Sequence, residues 1–516
     1  MRMVKKQTRQ RRIAAAVRIG LVAVLFLLNI ALVILLSYYL QKHAFLIYLI
    51  LEAVGIIVAV RLQGRWGSPS YKLAWTILVL AFPVAGLVLY ELWGGSAQRR
   101  KQMLQPVKPP PHKDYERSRS QDYIRRLSDS FPTWAREAQL LCHYDFMLYK
   151  NTAVTYFEGG ESFFQDLLDK VERAEHFVFL EYFILAEGKL WDRLFAALRD
   201  RVSRGVEVKI IFDDFGCITR LSGKMVDTMR QCGMEVAVFS PVHQYVSRLY
   251  FNYRDHRKIC CVDGDFAYTG GINVADEYAN LINRFGHWKD SGCLLEGEGA
   301  WGLTRLFLHM WESMGGTLHN EHDYYRPHGP VQAEGWCQPF CDGPSNNPEN
   351  PAEELYLQAV STAREFLYIT TPYLAIEDSM MEALCVAADS GVDVRLLMPG
   401  TPDHRYTYLA AGAYYDRLLS HGVRLFEYKP GFLHSKLLVA DGEMAVVGTI
   451  NMDYRSFQLH HECGVVLYGM PAVEHVYRDI RSIMEQCGEI RLAQWRKRNI
   501  FRRMTESILR IFTIWM

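Results

Sequence analysis

The sequence predicts a duplicated α/β protein: two α/β/α sandwich halves related by pseudo-twofold symmetry, preceded by N-terminal transmembrane helices. Three observations carry this reading. A constellation of His, Lys, Asp and Asn occurs twice at identical offsets. Each copy follows the same succession of apolar run, helical pattern, glycine stop and apolar strand, the mark of a βαβ unit. Three long apolar runs are confined to residues 1–98.

The first run, Ile19–Leu40, has 22 residues without a charge and is long enough to span a hydrocarbon layer. The second, Ala44–Val60, contains Glu52, and the third, Leu73–Trp93, contains Pro83, Gly86 and Glu91. Arg2, Lys5, Lys6, Arg9, Arg11, Arg12 and Arg18 precede the first run and hold the N-terminus in the cytoplasm. Arg99, Arg100, Lys101 and Lys108 follow the third and favour the same side. A third run that dips in and returns reconciles the two. The expectation is a multi-pass protein of the cell membrane with its large globular part on the cytoplasmic face.

Residues 99–135 read as a basic linker with Pro106, Pro109, Pro110 and Pro111. The first half then spans 136–320, a connection 321–350 and the second half 351–490. In the first, Phe177–Leu185 precedes a helical pattern at Leu190–Arg204, Gly205, and a strand ending at Asp213-Asp214. In the second, Phe366–Leu374 precedes a helix to Ser390, Gly391, and a strand ending at Pro399-Gly400. An insert in the first copy, Val242–Asp255, carries Tyr245, Tyr250, Phe251 and Tyr253; it lines a substrate entrance or is a packing loop. Residues 491–516 end the chain; from Trp495, arginines mixed with Ile, Leu, Phe and Trp predict a basic amphipathic helix for an anionic membrane surface.

A net charge of +1 gives no global bias toward nucleic acid. The eleven cysteines all lie beyond residue 140 and form no pair of C-x-x-C units, so a zinc site is not expected. Buried free thiols in a reducing compartment are.

The repeated constellation reads His256-Arg257-Lys258, Asp263 and Gly270-Gly271-Ile272-Asn273, then His434-Ser435-Lys436, Asp441 and Gly448-Thr449-Ile450-Asn451. His and Lys two apart on a strand project from one face and reach one phosphate. Lys258 and Lys436 supply charge, and Asn273 and Asn451 neutral donors, so neither a metal nor a cofactor is expected. One neutral imidazole attacks phosphorus while the other, protonated, releases the leaving alkoxide. Each imidazole needs an acid on its far nitrogen. Asp263 and Asp441 belong to the motif, but each precedes Gly in a hairpin-turn signal, roughly 20 Å along an extended strand from its histidine. Asp290 and Glu462 start equivalent later strands, so Asp290 is expected to serve His256 and Glu462 to serve His434.

These motifs resemble the phospholipase D superfamily, whose two H-x-K-x4-D motifs build one site from two halves. The strings Gly270–Tyr278, Pro430–Lys436 and Asn451–Phe457 are closer still to bacterial cardiolipin synthases. The resemblance implies two phospholipase D-like halves with His256, Lys258, Asp263, His434, Lys436 and Asp441 as the catalytic set. It implies phosphatidyl transfer from one phosphatidylglycerol to another, giving cardiolipin and glycerol through a phosphohistidine. By the same resemblance His256 is the nucleophile and His434 the general acid/base. A phospholipase D or a phosphatidyltransferase with a different donor or acceptor fits the same motifs, and a membrane-bound nuclease fits them less well. The third apolar run departs from the two usual in this family.

Overall fold

Residues Ala44–Gln63 form helix α1 of the computed structural model, which describes residues 24, 27–32, 34–35, 44–65, 67–91, 113–241, 253–318, 321–325, 331–346 and 349–513. Within α1, Phe45–Gln63 is long and apolar enough to cross a bilayer, alone in this among the described residues. The run Ile19–Leu40 lies largely outside them. The third run is broken as its proline suggests: α2 (Pro69–Ala81) stops at Phe82, and Pro83 opens the short α3 (Pro83–Leu89). Neither piece is long enough to span, so the multi-pass expectation reduces to one spanning candidate here.

The expected linker 99–135 is helical from its middle onward. Asp114–Ser130 (α4) and Pro132–His143 (α5) bury Tyr123, Ile124, Leu127 and Trp134 in the core of the second half. The apolar positions were outnumbered by charges on the exposed face, which hid their helical spacing.

The first half contributes β1 (Thr152–Phe157), β2 (Phe177–Tyr182), β3 (Glu207–Asp213), β4 (Glu235–Phe239), β5 (Arg254–Asp255), β6 (Lys258–Val262), β7 (Phe266–Gly270), β8 (His287–Lys289) and β9 (Gly292–Gly297). Its sheet runs β1-β9-β7-β6-β2-β3-β4, with β2, β3 and β4 parallel. Helices α6 (Gly160–Arg173), α7 (Lys189–Ser203) and α8 (Gly223–Gln231) cover its outer face. Leu167, Trp191 and Leu194 pack there on Leu180 and Ile210. Helix α9 (Glu298–Ser313) follows.

The second half contributes β10 (Trp336–Asp342), β11 (Phe366–Thr370), β12 (Leu374–Ala375), β13 (Asp393–Pro399), β14 (Arg424–Tyr428), β15 (Gly431–Leu433), β16 (Leu437–Ala440), β17 (Met444–Gly448), β18 (Met452–Asp453), β19 (His460–Tyr468) and β20 (Cys487–Ile490). The order β10-β19-β17-β16-β11-β13-β14 matches the first sheet strand for strand, with β20 added at the edge. Helices α10 (Pro351–Thr362), α11 (Asp378–Asp389) and α12 (Arg405–Ser420) cover one face. Helix α13 (Pro471–Glu485) joins α9 between the two sheets, and α14 (Ile500–Ile511) ends the described chain.

Strands buried on both faces explain the continuous apolar runs. Adjacent Cys260 and Cys261 point to opposite sides of β6, one into the outer core and one between the sheets. All eleven cysteines are free. The layer between the sheets is held by Phe307, which stacks on Phe179 at 4.8 Å between ring centres. Phe307→Ala should cost about 3–5 kcal/mol, read as a fall of several degrees in the unfolding midpoint of the purified protein.

Candidate active site

The site is made where each half lends a strand to the other. The short β5 pairs in parallel with the start of β19, His460 opposite Arg254 and His461 opposite Asp255. Its counterpart β15 pairs in parallel with β8, Phe432 opposite Trp288 and Leu433 opposite Lys289. Each exchange ends on a motif histidine. The His256 N–H donates to the His461 carbonyl at 2.9 Å, and the His434 N–H to the Lys289 carbonyl at 2.7 Å.

This register sets each imidazole against an acid of the other half. His256 Nδ1 lies 2.9 and 3.0 Å from the Glu462 oxygens, and His434 Nδ1 lies 2.6 Å from Asp290 Oδ2. The two acids read from the sequence are both present, but their partners are reversed: Glu462 holds His256 and Asp290 holds His434. The equivalence of the two strands was legible; the crossing of the seam was not. Glu462 also accepts from Ser456 Oγ at 2.7 Å and from Thr449 Oγ1. Asp290 accepts instead from the Ser291 N–H at 2.8 Å.

Both lysines turn back onto the motif, Lys258 Nζ donating to the His256 carbonyl at 2.6 Å and Lys436 Nζ to that of His434. Burial lowers Lys258 to about 8 and Lys436 to about 7, against the pull of Glu462 and Asp290 respectively. Burial, then Lys258, Lys436 and His434, push His256 well below its ordinary range. Burial and Lys436 lower His434 to about 4 despite Asp290. Burial opposes ionisation of Asp290, but His434 and Lys436 outweigh it and hold the carboxyl below its usual value. Across the seam, burial and the lysines of both motifs thus disfavour the charged form of each imidazole.

Asp263 and Asp441 do not belong to it. Both sit in the left-handed region at φ 53°. The Asp263 carboxylate accepts the N–H groups of Glu175, His176 and Phe177 at 2.7–2.8 Å. Asp441 accepts those of Arg364, Glu365 and Phe366 at 2.8–3.0 Å. Each pins the turn after the motif strand to the start of the neighbouring strand, as the Asp-Gly signal suggested, and its place in the catalytic set is thereby corrected. Asn273 is a brace as well, accepting from Ile184 N at 3.0 Å and donating to Tyr278 Oη at 2.8 Å. Asn451 keeps a buried side-chain oxygen without a hydrogen-bond partner among the described residues.

Sequence reasoning missed the walls. Tyr278, Trp288 and Phe432 surround His434 at 5.3–5.7 Å between ring centres. Phe183 and His460 flank His256 at 5.1 and 5.7 Å. Trp288 and His460 each stand two residues before an acid, so the same-face rule applied to His-x-Lys would have found them. Donor atoms of His256, His460 and Glu462 lie within 4.8 Å of one another. A cation there would compete with His256 for the carboxylate that orients it. Of the aromatic insert, Tyr253 packs with Ala74, Tyr454 and Leu459, while residues 242–252 lie outside the described part.

The family model described as cardiolipin synthase, PLD-like domain, matches residues 167–283 and 356–484. Cardiolipin synthase 2 of Bacillus anthracis is 33% identical over 461 residues, covering 86% of this chain and 87% of that protein. The cardiolipin synthase of Geobacillus kaustophilus (strain HTA426) is 32% identical over 473 residues, covering 90% and 92%. Among solved structures, phosphatidylserine synthase from Haemophilus influenzae Rd KW20 shares the fold, with a TM-score of 0.53 at 12% identity over 70% of this chain and 92% of that one.

Two predictions follow from this geometry. A Cβ on Gly271 would lie 2.1 Å from Asp290 Oδ1, so Gly271→Ala should displace the acid and lower turnover at least a hundredfold without unfolding the protein, as an activity assay beside circular dichroism would record. The second concerns pH. His434 titrates near 6.5 when unfolded and at about 4 when folded. The unfolded chain therefore takes up this proton first, and stability is lost as pH falls from about 6.5 toward 4. The unfolding midpoint should drop across that window, and drop less in His434→Gln.

Proposed function

The chain belongs to the cardiolipin synthase family of phosphatidyltransferases, and we propose that it transfers a phosphatidyl group between two phosphatidylglycerols through a phosphohistidine on His256. The observation that carries this mechanism is the pair of imidazoles, each backed by a carboxylate from the opposite half. Glu462 on Nδ1 leaves Nε2 of His256 with its lone pair for phosphorus. As the phosphorus–nitrogen bond forms, the bond to the glycerol oxygen breaks, and His434 gives that oxygen its proton. The anionic phosphodiester, together with Asp290, favours the protonated His434 this step needs. His434 then takes the proton from a hydroxyl of the second lipid, whose oxygen attacks phosphorus and frees His256. Lys258 and Lys436 balance the phosphoryl charge.

We read the two sheets as related by a pseudo-twofold axis through this site, a reading supported by their common strand order and reciprocal strand exchange. The same reading sets the protein in the cell membrane through α1 with its catalytic part in the cytoplasm. The free thiols and the basic residues flanking the apolar runs support that side.

Labelled phosphatidylglycerol supplied alone should yield cardiolipin and glycerol in equal amounts, unchanged by EDTA. Phosphatidic acid as the main product would replace transfer by hydrolysis. With phosphatidylglycerol labelled in the phosphate, His434→Ala should slow turnover by orders of magnitude. His256→Ala should abolish the acid-labile phosphoenzyme altogether. Label retained in His256→Ala and lost in His434→Ala would reverse the two roles.

A further inference from the structure

The C-terminal helix α14 is docked the wrong way round for a soluble protein. Its inward residue is Glu506, 2% exposed, held by Arg498 at 2.5 Å and Arg502 at 3.0 Å. Gly412 of α12 makes room for it, since a Cβ there would lie 2.9 Å from the Glu506 carboxyl group. Arg498 lies over the Trp495 ring at 3.3 Å, and Trp495 packs on Tyr415. The polar side of the helix is thus fastened to the domain. Ile500, Phe501, Met504, Ile508 and Ile511 remain exposed, Phe501 by 74%. At 100° per residue they fall within an arc of roughly 100° opposite Glu506.

The neighbours of α14 say what covers this stripe. Arg510 pairs with Asp378 at 2.5 Å. The adjacent Glu377 accepts hydrogen bonds from Ser68, which caps α2, and from Ser70 in its first turn. Tyr71 of α2 stacks on Tyr454 beside the second motif. The end of the spanning candidate α1 and the C-terminal end of α14 therefore meet on one edge of the domain, where a bilayer entered by α1 has its surface. A strip of about 18 Å by 10 Å falls well short of the roughly 800 Å² that each partner buries in a stable dimer. Exposed Arg503 on α14 and exposed Lys497 just before the helix suit anionic lipid.

We propose that α14 lies in the bilayer interface with its apolar stripe among the acyl chains, using Glu506 as the clamp that aims it there. This rests on the bilayer reading of α1, which alkaline extraction of the wild-type protein tests by itself. With the full chain in nanodiscs of phosphatidylglycerol and phosphatidylcholine, p-benzoylphenylalanine is placed at Phe501, at Ile508, or at exposed Arg199 on α7 as control. Illumination should attach labelled lipid at 501 and 508 at least tenfold more than at 199. Equal yields, or attachment to a second copy of the chain, would overturn the proposal. As an independent readout, Phe501→Ser with Ile508→Ser should raise KM for bilayer phosphatidylglycerol about fivefold or more, while leaving turnover of short-chain phosphatidylglycerol in detergent unchanged. An equal loss on both substrates, or none on either, would also count against it.

Discussion

The structure depends on a reciprocal debt across its seam: neither motif histidine is oriented by its own half. Glu462 holds His256 and Asp290 holds His434, and the backbone of each donor strand also accepts the N–H of the histidine it serves. Removing one half would leave a buried carboxylate without its imidazole and an imidazole without a fixed tautomer. The duplication is therefore more than two copies of one unit. Each copy carries half of the other's proton machinery, and the inter-sheet layer of α9 and α13 exists to hold the two in register.

Reciprocal does not mean identical, and the differences come in matched pairs. Where the second copy has Thr449 bonded to the longer Glu462, the first has Gly271 against the shorter Asp290. Beneath the motifs, Arg257 pairs with Glu181 at 2.7 Å in the first copy. The equivalent positions in the second are Ser435 and Thr370, 3.1 Å apart. One buried ion pair has as its counterpart one pair of hydroxyls. The surroundings of the imidazoles diverge further, aromatic around His434 and partly polar around His256, where His460 stands at the place of Trp288. Such asymmetry sets two related histidines in different surroundings, as the different tasks proposed for them require.

Much of this was legible because the chain says it twice. The repeat located the motif strands, the βαβ order and the two late acids, since equal offsets survive where single residues mislead. What stayed hidden has physical reasons. Offsets along a chain do not tell whether an acid faces its own histidine or the one across the seam; only β5 and β15 leaving their sheets decide that. Asp263 and Asp441 share the motif because they fasten its strand, so recurrence alone could not separate a group that builds the fold from one that touches phosphate. The helices α4 and α5 were masked by a charged outer face, and Tyr278 lay inside a string that looked like family signature instead of a wall.

The electrostatics explain why such a site waits for its substrate. Two lysines and two imidazoles are buried together, and burial pushes all four toward their neutral forms. Keeping the lysines so costs stability at neutral pH, because the unfolded chain would protonate both; the imidazoles add their cost only as pH falls below about 6.5. A phosphodiester adds one negative charge to this cluster. In the proposed reaction that charge favours protonation of both lysines and of the histidine that acts as acid, so binding and arming coincide. A neutral hydroxyl or water entering alone brings no such charge and leaves the imidazoles unprotonated. The order of the proposed reaction, donor first and acceptor second, follows from its covalent intermediate: the acceptor hydroxyl has no phosphohistidine to attack until the leaving glycerol has gone.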